Sequence, residues 1–201
     1  MSDTEAGGAQ DRRTAAERVR EAAKNLFYRQ GIHATGVEEV CRAAGATKMS
    51  LYRAYPSKDA LVEAILRDSQ CAMDEDFACS VDPGVPPRDR PMAFIRAAVA
   101  MLRTPGFRGC PVGLAVVEFP DPSHPVRQLA DAAKQATRDK LRGLCAEAGA
   151  AAPEALGDAL HLLIEGAYTV APSLGNEAAA QSLERSAAAL LDGALPARPP
   201  G

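Results

Sequence analysis

The chain has 201 residues and a formal net charge of -3, with 47% hydrophobic, 24% charged and only 4% aromatic residues, and no Trp. That length and apolar share exclude a disordered chain, and the acidic total excludes a protein that coats nucleic acid indiscriminately through bulk charge. With so few aromatic residues, Ala, Leu and Val must build the core, which favours helices over sheets.

Residues 1–12 are polar and acidic and read as a tail. From about Arg13 to Gln30, Val19, Ala23, Leu26 and Phe27 recur at i, i+4, i+7 and i+8, the single apolar stripe of a helix that Gly31 ends. In "TGVEEVCRAAGAT", Thr35 and Glu38 have the spacing of a capping box opening a short helix over Val37, Val40, Cys41 and Ala44, which Gly45 stops. Thr47 is a second N-cap, for a short helix through Tyr55. Pro56 and Ser57 then break and restart the chain into a longer helix carrying Ala60, Leu61, Ala64 and Ile65. Two short helices across a tight turn, flanked by longer ones, form the pattern of a helix-turn-helix.

After a break at "SVDPGVPPRDRP" the remainder also reads as helical. It has a helix near Ala93–Arg103, a short apolar one bracketed by prolines, and a long one from about Pro125 to Ala148. Two more follow, at about Pro153–Val170 and Glu177–Leu191. The first carries Leu156, Leu160, Leu163 and Ala167 on one stripe, with Leu162 and Ile164 beside it, and the second carries Leu183, Ala187, Leu190 and Leu191. Helices apolar over more than one stripe need more than one neighbour. No internal repeat or period-2 alternation is present.

From Arg42 to Lys58 the sequence holds no carboxylate, so this stretch is cationic despite the acidic total. In a helix-turn-helix the second helix enters the major groove and presents its N-terminal residues to base edges, while flanking groups fix register on phosphates. On a helix starting at Thr47, the exposed face includes Lys48, Met49, Ser50, Tyr52 and Arg53, while Leu51 and Ala54 turn inward. Lys48 suits phosphate or guanine, Ser50 and Met49 suit base edges, and Tyr52 and Tyr55 suit phosphates through their O–H groups. Lys58 at the next helix start adds its charge and free backbone N–H groups.

The segment "GIHATGVEEVCRAAGATKMSLYRAYPSKDAL" resembles the N-terminal DNA-binding signature of the TetR family of transcriptional regulators. It matches the family's Gly, Ala-Thr, Ala-Gly, Leu-Tyr, aromatic, Ser-Lys and Leu positions in order and spacing over roughly residues 13–65. The resemblance implies that Thr35, Tyr52, Tyr55 and Lys58 contact the DNA backbone, and that Thr47, Lys48, Met49, Ser50 and Arg53 lie on the recognition helix. Met49, where the family often has Gly, alters which bases are read, and Tyr55 stands where Phe is usual. The implied architecture is all-α with about nine helices: a three-helix DNA-binding domain over 13–60, then a larger helical ligand-binding and dimerisation domain over 61–192, with 193–201 a flexible tail. The implied function is a homodimeric repressor that binds a palindromic double-stranded operator and is released by a small-molecule effector.

By the same resemblance, the last two long helices form the dimer interface, through Leu156, Leu160, Leu163, Ala167, Leu183, Ala187 and Leu190. The effector pocket falls among Phe77, Met101, Phe107, Cys110, Val117, His161 and Tyr168. The segment "RGCPVGLAVVEFPDPSHP" is similar to one in a subset of these regulators, where Gly-Cys opens the sixth helix. Cys110 at a helix N-terminus can react as thiolate, so a redox or electrophile sensor switched through Cys110 is an alternative, as is a ligand-independent regulator or activator.

The five cysteines, Cys41, Cys71, Cys79, Cys110 and Cys145, are odd in number, and none has zinc spacing or a CxxC partner. No signal peptide or apolar run of about 18 residues is present, so the expected location is cytoplasmic, without membrane contact and with reduced thiols. His124 near Asp121, and His161 near Glu165, are better read as caps or core groups than as metal ligands, and no metal or cofactor is expected. The chain has no GxSxG, Walker, HExxH or Rossmann pattern, which argues against an enzyme.

Overall fold

Thr14 opens α1 (Ala15–Gln30) in a computed structural model that describes residues 13–196. Its hydroxyl accepts the Glu17 N–H at 3.2 Å while the Glu17 carboxylate accepts the Thr14 N–H at 2.6 Å, a closed capping box. The apolar stripe buries Val19, Ala23 and Phe27, and Gly31, at φ 101, ends the helix by donating its N–H to the Phe27 carbonyl.

The second element departs from expectation. Helix α2 (Val37–Ala44) has Gly36 as its N-cap and no side-chain cap, so the Thr35–Glu38 box does not form. Thr35 is fully buried, and its hydroxyl donates to the Gly31 carbonyl at 2.7 Å. A buried hydroxyl must find a partner, and the carbonyl left over at the end of α1 is the nearer one.

Thr47 does cap α3 (Lys48–Ala54), its Oγ1 accepting the Ser50 N–H at 3.1 Å. Leu51 is completely buried; Ala54, expected to turn inward, is exposed. Ser57 Oγ accepts the Ala60 N–H at 3.0 Å at the start of α4 (Lys58–Ser80). Helix α1 packs on both α2 and α3, and Arg18 Nε ties it to the Ala44 carbonyl at 3.1 Å. The chain divides into two compact units between Val62 and Glu63.

In the second unit a short 3-10 turn (Pro87–Asp89) precedes α5 (Arg90–Leu102), α6 (Pro111–Glu118), α7 (Pro125–Glu147), α8 (Pro153–Leu174) and α9 (Asn176–Ala194). The described residues therefore form nine α-helices and no strand. Proline opens α6, α7 and α8, where a missing N–H costs nothing. Helix α8 runs one turn beyond the expected Val170, through Pro172. Pro172 lies in the last turn of the helix, next to buried Ala171. Gly175, at φ +88, is the whole connection between α8 and α9.

Helix α8 packs between α7 and α9, with α5 against α9. Where α7 crosses α8, a Cβ on Gly157 would lie 2.7 Å from the backbone N and Cα of Arg142. Beside that crossing, Asp158 receives Arg138 (2.7 and 2.6 Å) and Arg142 (2.7 and 2.8 Å), each through two nitrogens. These hydrogen bonds hold the Asp158 carboxyl well below the usual carboxylate range.

The leucine stripes serve the interior of one chain. Leu156, Leu160, Ala167, Leu183 and Ala187 are buried in a single core with α5 and α7, and Leu163 and Leu190 pack against its edge. Five of the seven residues expected at a dimer interface are therefore covered within the protomer, because α5 and α7 supply the extra neighbours that the apolar faces require, while Leu163 and Leu190 keep part of their surface open. The outward face of α8 carries Leu162, Gly166, Val170 and Leu174 instead, with Leu162 71% and Leu174 65% exposed.

The expected tail at 1–12 lies outside the described residues, as does 197–201. The remainder of the C-terminal tail, expected from 193, is helical to Ala194 and buries Leu195.

Candidate nucleic-acid interface

Leu51 anchors α3 from below, and that fixes what the helix turns outward. Thr47, Lys48, Met49, Tyr52 and Arg53 are all exposed, Met49 at 72% and Tyr52 at 46%, a high value for a large apolar side chain with nothing in the unit to cover it. Arg53 has no acidic partner among the described residues, whereas Lys48 pairs with Glu38 of α2. That contact lowers the Glu38 carboxyl and raises the Lys48 ammonium, the hydrogen bond between them being the main cause for each.

Four of the residues assigned to DNA are committed elsewhere or partly withdrawn. Thr35 is wholly internal, and its hydroxyl is held by the Gly31 carbonyl. Tyr55 is half-buried and donates its hydroxyl to the Ala16 carbonyl at 3.3 Å, tying α3 to α1 rather than presenting a donor to phosphate. Ser50 is half-buried, its hydroxyl 3.0 Å from that of Thr47. Lys58 lies with its ammonium 5.7 Å above the Phe27 ring, still half-exposed at the start of α4. Glu38 is the residue that sequence reasoning missed at this face, having been given to a cap that does not form.

The family of bacterial regulatory proteins, tetR family, matches residues 19–65. The fold superimposes on a TetR-family transcriptional regulator from Streptomyces coelicolor with a TM-score of 0.86 at 29% identity, covering 90% of this chain and 95% of the other. A putative TetR transcriptional regulator from Streptomyces avermitilis is 30% identical, covers 90% of this chain and 98% of its own, and superimposes with a TM-score of 0.74. The chain belongs to the TetR family. YxaF, an uncharacterized HTH-type transcriptional regulator of Bacillus subtilis, is 28% identical over 155 residues, 75% of this chain and 81% of that protein. This TetR-family chain is accordingly a DNA-binding transcriptional regulator with a helix-turn-helix head, and no helix among its described residues is long and apolar enough to cross a membrane.

Two of the residues assigned to a TetR-family effector pocket face outward. Met101 and Val117 point to solvent, at 42% and 78% exposure, because Ala98, Val99 and Leu102 take the inward side of α5 and Val112 and Ala115 that of α6. Phe77 meets Phe94 edge-on at 6.4 Å and lies under the Lys140 ammonium. Buried Phe107 stacks obliquely on Tyr168 at 5.1 Å. A depression of about 280 Å³ does occur, between α5 and α9, lined by Arg88, Met92, Arg96, Leu191 and Leu195 among others, and none of the seven borders it.

Cys110 and His161 belong to a different arrangement. Cys110 is the N-cap of α6, half-buried, with its Sγ 3.3 Å from Lys134 Nζ. Lys134 also donates to both Glu165 oxygens, at 2.6 and 2.5 Å, and His161 Nε2 stands 3.6 Å from Glu165 without a hydrogen bond. Burial works against the charge on Glu165 and on Lys134. The neighbouring ammonium and imidazole nevertheless hold Glu165 below its ordinary value, and the acidic groups around Lys134 hold it above. Buried Cys145, by contrast, has its thiol pushed up to about 11. No group of three His, Cys, Asp or Glu among the described residues is placed to hold a metal ion.

Proposed function

We propose that the protein is a cytoplasmic, homodimeric repressor that reads a twofold-symmetric operator through α3 and is released by a small-molecule effector taken up in the larger unit. The observation that carries this reading is the outward face of α3, where Thr47, Lys48, Met49, Tyr52 and Arg53 stand exposed on a helix whose other side Leu51 anchors. One such helix reads only a few base pairs, so two heads about a helical turn apart are needed for a selective site. The exposed α8 ridge of Leu162, Gly166, Val170 and Leu174 is the surface through which two copies associate, with spacing of four that suits ridge-into-groove packing. An effector that prefers the released spacing of the heads by about a hundredfold supplies about 2.7 kcal/mol, enough to take an operator from about 99% occupied to about half.

Selection of bound duplexes from random-sequence DNA, followed by fluorescence anisotropy, tests the reading. A palindromic consensus should emerge, with Arg53→Ala binding it about tenfold more weakly. A consensus without symmetry, or an Arg53 variant with unchanged affinity, counts against α3 as the reader.

A second reading, a thiol switch at Cys110, is favoured by the place of its half-buried Sγ, at the start of α6 and 3.3 Å from Lys134 Nζ. In a Cys71→Ser/Cys79→Ser background, which removes the two exposed thiols, a maleimide should label Cys110 more slowly once Lys134 is Gln. Labelling should also release DNA. Full labelling with undiminished DNA affinity excludes a switch there.

A further inference from the structure

We propose that Glu38 is a resident anion that holds Lys48 away from DNA phosphates and thereby suppresses sequence-independent binding. The inference rests on the reading that α3 faces DNA.

The contact between Glu38 and Lys48 does little for the fold. Glu38 is the second residue of α2 and Lys48 the first of α3, and their side chains are 70% and 54% exposed. An ion pair that open to water contributes little to stability. Glu38 is not the N-cap of α2, which is Gly36 with no side chain serving it, and besides Lys48 its carboxylate meets only its own backbone N–H. The neighbouring Glu39 has a structural partner in Gln30, at 3.1 Å, which leaves Glu38 as the acid of the first turn directed to the recognition helix.

Its position has consequences for an approaching duplex. A phosphate that recruits Lys48 must first separate it from Glu38, and then leaves a bare carboxylate beside polyanionic DNA. On a mixed sequence that exchange gains nothing, because one anion merely replaces another at the ammonium. On a site where Lys48 reaches guanine O6 and N7, or Met49 and Tyr52 find their own contacts, the exchange is offset by base readout. The device lowers the background against which the operator competes, a real need because non-specific sites vastly outnumber the specific one.

Anisotropy with a mixed-sequence duplex, titrated over a range of salt concentrations, tests the proposal with Glu38→Gln, an exposed substitution of the same shape. The variant should bind the mixed duplex about fivefold more tightly at low salt. Its salt dependence should steepen by about 0.9 in log–log slope for each head engaged, as Lys48 takes up a phosphate. In a Lys48→Met background the steepening should fall well below that value, leaving only the salt-screened gain from the lost carboxylate. An unchanged slope in Glu38→Gln, or the same steepening without Lys48, overturns the proposal. Arg53→Ala, measured in parallel, separates the two levels. If it weakens binding while Glu38→Gln leaves the slope alone, only the resident-anion role fails; if it has no effect, α3 is not at the DNA and both fail.

Discussion

Replacing Leu162 by Glu is expected to convert the dimer to a monomer and to weaken operator binding by about a hundredfold or more, as the two heads cease to act as one ligand. Leu162 is 71% exposed in the single chain, so the substitution should change the stability of the protomer by no more than about 0.5 kcal/mol. In the dimer the same carboxylate would be placed, unpaired, against the apolar ridge of a second copy. Size-exclusion chromatography with light scattering checks the first effect and anisotropy the second. Leu163, one residue along, is the instructive contrast. It packs on the protomer's own core, so Leu163→Arg should cost folding stability before it says anything about assembly. A Leu162→Glu protein that remains dimeric would place the interface on another face.

The Gly157→Ala variant is expected to be less stable by about 1–3 kcal/mol, the usual cost of forcing an extra methyl into a close contact. Helix propensity alone predicts the reverse, since Ala in a helix interior is better than Gly by about 1 kcal/mol. The steric effect prevails because the new Cβ would stand 2.7 Å from the backbone N and Cα of Arg142, and backbone cannot rotate aside as a side-chain tip can. Relief requires α7 and α8 to separate, which would also stretch the paired hydrogen bonds from Arg138 and Arg142 to Asp158. Urea denaturation of wild type and variant decides the sign; a variant at least as stable as wild type would mean that the crossing is looser than described.

Much of this architecture was legible in the sequence, and the failures have a common cause. The helices were readable because their signals are local: Thr47 acts within its own first turn, Gly31 and Gly45 within their own last turns, and the apolar period of α1 needs only one face. What was not legible depended on residues brought together from different elements. Thr35 has the sequence spacing of a cap, but its burial against the end of α1 decided its partner. Likewise the stretch from Arg42 to Lys58 lacks carboxylates in sequence but not in space, since Glu38 folds onto Lys48. The same holds for α8. Its strongest leucine stripe looked like the one in need of a second chain, yet α5 and α7 cover most of it, and the row left exposed is the weaker one of Leu162, Gly166, Val170 and Leu174. Periodicity counts apolar faces and does not say which neighbour covers each. The effector residues were carried over by family position alone, and Met101 and Val117 show the cost, because a helix position does not fix which way its side chain turns.

Gly175 sets the aim of everything after it. With one residue between α8 and α9, the direction of the final helix is decided by a single pair of backbone dihedrals, at a positive φ that an L side chain adopts only with strain. Helix α9 spans 19 residues, on the order of 28 Å, so it acts as a lever arm on that pivot. An error of about 10° at Gly175 would displace the far end by about 5 Å, on that same rise per residue, which is enough to lift Ala187 and Leu191 out of register with α5 while leaving Ala179 nearly in place. The last turn of α9 is thus the part of that helix most sensitive to a change made at its start.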